Sequence, residues 1–96
     1  MFIVQIKYKK ALADVDSLLP AHVDFLRANY ESGAFVLSGR CEPRTGGIIM
    51  SCLKSRNQLE ELMKTDPFYT GGVAAFDIVE FTPSMASDEL KKLIGR

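Results

Sequence analysis

The sequence has no tryptophan, one histidine and two cysteines, and its twelve basic residues balance twelve acidic ones. Each scarcity removes a class of function. Without a basic excess there is no electrostatic footprint for nucleic acid or for an anionic membrane surface. No apolar run approaches the roughly 20 residues of a membrane-spanning helix. Residues Phe2-Ile3-Val4 meet the polar Gln5 too soon for the apolar stretch of a signal peptide. Cys41 and Cys52 are too few for a disulfide framework, so reduced thiols in a cytoplasmic protein fit best. A single histidine with no CxxC pair offers no set of ligands for zinc, and no cofactor is implied.

What remains is the composition of an ordinary globular domain, 47% hydrophobic and 25% charged over 96 residues. The whole length, 1–96, is expected to form one domain. A chain this short buries a modest share of its surface, and a partner copy would help it.

Hydrophobic periodicity gives the element order. Residues 2–8 alternate as a strand, with Phe2, Val4, Ile6 and Tyr8 opposed to Ile3, Gln5 and Lys7. From Asp14 to Ser32 the period is helical: Val15, Leu18, Leu19, His22, Leu26 and Tyr30 share one face, with Val23 at its edge. Pro20 is tolerable if the main helix begins near Ser17 and otherwise marks a kink. Gly33 is a helix stop. Two strands, Ala34–Arg40 and Gly47–Leu53, flank a hairpin loop whose register would set Cys41 near residue 48. Ser55 caps a second helix with Leu59, Leu62 and Met63 as its stripe. Val73–Thr82 is a fourth strand, and Ser84–Gly95 a short terminal helix.

The order β-α-β-β-α-β is the split βαβ arrangement of ferredoxin-like α+β domains, an antiparallel sheet with both helices on one face. The strands are apolar on both sides. Ala74, Phe76 and Ile78 oppose Val73, Val79 and Phe81, and Ile48 and Met50 oppose Ile49 and Leu53. A solvated face would be polar at every second position. Something therefore covers the second face, and a second copy of the chain, as a homodimer, is the simplest cover.

One pair of residues carries sharp chemistry. His22 falls on an apolar helix stripe. Extending the second helix's stripe to two turns beyond Leu59 reaches Asp66, which Pro67 forces out of helical geometry. There the carboxylate would face the negative pole of the helix. A buried carboxylate costs several kcal/mol unless it is paired or protonated, and His22 is an available partner. Together they would make an acid–base pair. The plainer alternative is a buried structural histidine and an Asp-Pro helix stop.

Four fragments together resemble the YCII-related domains: Pro20-Ala21-His22, the segment Ser32-Gly33-Ala34-Phe35-Val36-Leu37-Ser38-Gly39, Arg44-Thr45-Gly46-Gly47, and Thr65-Asp66-Pro67-Phe68 with a glycine soon after. The resemblance runs over nearly the whole chain and implies a dimeric α+β barrel. It also implies an active site that pairs a histidine with an aspartate, here His22 and Asp66. Some relatives are linked to degradation of chlorinated hydroxylated aromatics, and the wider fold includes muconolactone-isomerase-like enzymes and cofactor-free oxygenases. Many members carry a proline after the glycine that closes the second strand; this chain has Gly39-Arg40, so the mouth of the site differs.

Arg40 and Arg44, near the glycine-rich hairpin, are candidates to hold a carboxylate or phenolate, and Ser38 is a further ligand-binding candidate. Solvated loop arginines are the alternative. The leading expectation is a lyase-, isomerase- or hydrolase-type proton transfer on a small, cyclic organic molecule. The rival is a non-catalytic module that binds a small ligand and dimerises, with the His/Asp pair as structure. RNA binding, which the topology also serves, is rejected because Gly47–Leu53 has no aromatic for base stacking.

Overall fold

A computed structural model describes residues 1–95. Phe2–Tyr8 form β1, Leu12–Glu31 α1, Phe35–Arg40 β2, Gly46–Ser51 β3, Arg56–Met63 α2, Pro67–Thr70 the one-turn α3 and Ala74–Glu80 β4. The strands run in the order β2-β3-β1-β4 with every neighbour antiparallel. This is the expected α+β, ferredoxin-like βαββαβ fold.

The alternation in β1 fixes the inner face. Phe2, Val4 and Ile6 are buried while Gln5 and Lys7 are exposed. Val4 stands between Ile49 of β3 and Ile78 of β4, and the helices close over this face with Val15, Leu59, Met63 and Phe68. Burying each such side chain contributes about 1.5–3 kcal/mol. The polar groups taken inside are satisfied: Ser51 Oγ, for example, donates to the Ala34 carbonyl at 2.8 Å.

Four local expectations change. α1 starts at Leu12 and continues through Pro20. The proline removes only the bond to the Asp16 carbonyl, and the fully buried Val15 holds the preceding turn to the core. In the hairpin, Thr45 N–H donates to the Pro43 carbonyl and Cys41 N–H to Gly46. That tight turn brings Cys41 opposite Gly46, and residue 48 pairs with Gly39 instead. Val73 precedes β4 and is buried in the core, not on the outer face. Within 84–95 only Asp88–Leu93 is helical, as a 3-10 turn, because almost none of it is buried and an unpacked short helix is marginal.

The outer face of the sheet carries Ile3, Leu37, Ile48, Met50 and Val79, with Leu37 63% and Val79 58% exposed. A Lys7–Asp77 ion pair at 3.2 Å lies along the same face. No described helix is long and apolar enough to cross a membrane.

Candidate active site

Asp66 owes its position to Pro67. The helical stripe of α2 stops at Met63, and the residue before proline is pushed to extended geometry, here φ −62° and ψ 127°. Asp66 then becomes the N-cap of α3, its Oδ1 accepting from Phe68 N–H at 3.0 Å. The expected placement at the negative pole of α2 is thus corrected: the chain turns into a new helix, and the carboxylate meets free N–H groups there.

The same Oδ1 lies 2.7 Å from His22 Nδ1. His22 is 7% exposed and Asp66 1%. The imidazole stacks on Phe68, ring centroids 3.9 Å apart and planes 6° from parallel, with Phe25 more loosely on its flank at 6.3 Å. Ring plane, tautomer and position are therefore set by separate contacts. An ionised carboxylate only accepts, so Nδ1 donates and, in the neutral ring, Nε2 carries the lone pair. Nε2 has no hydrogen-bond partner among the described residues, yet no buried side-chain nitrogen or oxygen among them is sealed without one. Nε2 is therefore open to the space His22 lines.

That space is a cleft of about 280 Å³ between α1 and the sheet. Leu19, Val23 and Leu26 of α1 form one wall with His22, and Ile6 and Ile49 form part of the floor; Phe68 closes the inner end. Gly46 lets β3 approach β1, since a Cβ there would fall 1.8 Å from the Ile6 carbonyl oxygen. Ser38, Arg40 and Arg44 all line the cleft. Asp66 does not; it stands behind the imidazole.

The polar groups toward the mouth are paired among themselves. Arg40 Nε donates to Glu42 at 3.1 Å, both side chains well exposed. Arg44 donates to Asp16 of α1, and its guanidinium carbon sits 5.9 Å from the centre of the Tyr8 ring. The hydrogen bond from Arg44, more than its charge, holds the Asp16 carboxyl below its usual range; the same bond, then Tyr8, raises Arg44. Ser38 Oγ is hydrogen-bonded to the Tyr30 hydroxyl. Sequence reasoning misses Asp16; Tyr30, readable from its helix stripe as a core or dimer contact or as a side chain that orients a ring ligand, is found at Ser38 instead. Asp16 could have been found at the head of the i, i+3, i+7 series with Leu19 and Val23, whereas Tyr30 had been placed on the core stripe and is 38% exposed.

No group of three or more His, Cys, Asp or Glu side chains gathers among the described residues to hold a metal. The YCII-related domain model matches residues 1–82. Among solved structures, 5-chloro-2-hydroxyhydroquinone dehydrochlorinase (TftG) from Burkholderia phenoliruptrix AC1100, in complex with 2,5-dihydroxybenzoquinone, is similar with a TM-score of 0.72. The match covers 83% of this chain and 91% of that one at 16% identity, a likeness of fold. A search of curated proteins found no match.

Proposed function

Since the chain belongs to the YCII-related domain family, we propose that it is a small cofactor-independent enzyme in which His22 transfers a proton through Nε2. Asp66 orients the ring and balances its charge. The observation that carries this reading is the division of the imidazole: Nδ1 tied to a buried carboxylate, Nε2 open to an apolar cleft. That is how a general base is held in one tautomer and aimed at a substrate. A volume near 280 Å³, at the lower edge of the usual range for ligand pockets, suits a single-ring organic molecule. TftG, crystallised with a dihydroxyquinone, supports the same size class.

Nε2 takes a proton from a C–H or O–H of the substrate, and the imidazolium is stabilised by Asp66. The electron pair left behind moves onto a substrate oxygen, and Ser38, Arg40 and Arg44, which line the same cleft, would bind it. The proton then returns to a second position of the same molecule, as in an isomerase, or, where the electron pair returns to expel a leaving group, it goes to that group, as in a lyase. The free thiols of Cys41 and Cys52 fit a reducing, cytoplasmic setting.

The test is solvent deuterium exchange into a panel of cyclic enols, lactones and hydroxyquinones, followed by proton NMR. Exchange with the native chain should fall by roughly 10²–10⁴-fold in His22→Gln. Exchange that the substitution leaves intact would return the pair to the role of a structural element in a ligand-binding module.

The same proposal includes a homodimer closed through the outer sheet face, as a dimeric α+β barrel. Leu37, Met50 and Val79 would lose their exposure there. Sedimentation should give twice the chain mass, and Leu37→Glu should lower it to one; a native monomer contradicts this part.

A further inference from the structure

Asp16 touches none of the dyad, yet it holds Arg44, the arginine that reaches the cleft from the loop between β2 and β3. Arg44 lines the cleft with its side chain 25% exposed, and its guanidinium is bonded to the half-exposed Asp16. Tyr8, beneath that guanidinium, meets Phe68 edge to face at 6.0 Å, and Phe68 stacks on His22. The order is Asp16, Arg44, Tyr8, Phe68, His22, an unbroken run of contacts from the mouth to the base.

We propose that Asp16 is a specificity-determining residue that masks Arg44, so the cleft admits its ligand uncharged and releases Arg44 to it only as negative charge develops. The inference rests on the reading of the cleft as a ligand site, and it concerns the charge of what enters. Each mouth arginine is already neutralised, Arg44 by Asp16 and Arg40 by Glu42. With neutral His22 the dyad carries the full charge of Asp66. A ligand that is already an anion meets a carboxylate behind the base and arginines already committed to other partners. A neutral acid enters without that opposition. Once its proton is on Nε2 the dyad is neutral, the ligand is an oxyanion, and the guanidinium can exchange the exposed Asp16 for it. The exchange is cheap because the Asp16 side chain is 52% exposed and rehydrates on release.

Benzoate and benzamide, two rings of nearly equal shape that differ in charge, separate this from a steric effect. Both are titrated into the full chain and followed by the amide shifts of Tyr8, Gly46 and Phe68. Asp16→Asn should tighten benzoate roughly three- to fivefold, the scale of freeing one exposed ion pair, with benzamide unchanged. In Arg44→Gln the benzoate gain from Asp16→Asn should vanish. Equal tightening of both rings, or no change with either, overturns the proposal. So does a benzoate gain that survives Arg44→Gln. Absence of cleft shifts with both rings in every variant overturns this proposal together with the ligand-site reading beneath it. His22→Gln should keep the benzoate gain even where it abolishes deuterium exchange, which separates a failed charge filter from a failed base.

Discussion

His22 and Arg40 line one cleft, and each is paired with a carboxylate at a similar separation, His22 with Asp66 at 2.7 Å and Arg40 with Glu42 at 3.1 Å. Their surroundings differ. The side chains of the first pair are 9% and 2% exposed, those of the second 67% and 74%. At the inner end no water competes, so each partner depends on the other and the geometry is held. At the mouth, solvent screens the charges and either partner can leave at little cost. A fixed base needs the first environment; arginines that must change partners need the second.

Removing one member of each pair should separate the two ends most widely. Asp66→Ala strands His22 Nδ1–H and Phe68 N–H inside the protein and should cost about 3–5 kcal/mol, read from urea unfolding. Asp66→Asn keeps an acceptor oxygen for both and should cost clearly less. Equal losses in the two variants would mean that the cap and the dyad bond contribute nothing beyond volume. Next in size is Phe68→Leu, which removes the ring stacked on His22 and should cost about 1–2 kcal/mol. Arg40→Ala should change stability by about 0.5 kcal/mol at most. A larger loss would show that the mouth is more rigid than its exposure implies.

The smallest effect is a pH dependence at the mouth. Arg44 lowers the Asp16 carboxyl in the folded chain relative to its ordinary value of 3.8. The linked stability is therefore fully present above that value and is lost as pH falls through the lower folded one. Arg44→Gln should remove this part of the acid slope; an unchanged slope would mean that Asp16 and Arg44 do not pair in solution.

The legibility of these regions follows from burial. β1 was readable because Phe2, Val4 and Ile6 must face inward while Lys7 faces water. His22 and Asp66 were readable for the same reason, as polar groups at positions that packing reserves for apolar ones. What Asp66 does locally was misread. A helix stripe extended by one turn cannot reveal that Pro67 starts a new helix, which turns an unfavourable pole into a favourable cap. Val73 falls on the wrong side when strand alternation is carried back past the start of β4. Asp16 is not legible because it is exposed, where pattern carries little information, and only the fold brings Arg44 to Asp16 and Ser38 to Tyr30. The terminal 84–95 segment had helical periodicity but nothing to pack against.

The central claim is that Asp66 holds His22 with Nδ1 protonated and Nε2 free in the cleft. Long-range ¹⁵N–¹H correlation spectra report this directly, because the chain's only imidazole gives an unobstructed signal. Under conditions where the ring is neutral, the native protein should show a protonated Nδ1 with a pyridine-like Nε2 shift. In Asp66→Ala the spectrum should move toward the Nε2–H tautomer that free imidazole side chains favour. An Nε2–H ring in the native chain, or a tautomer that Asp66→Ala leaves unmoved, would contradict the account.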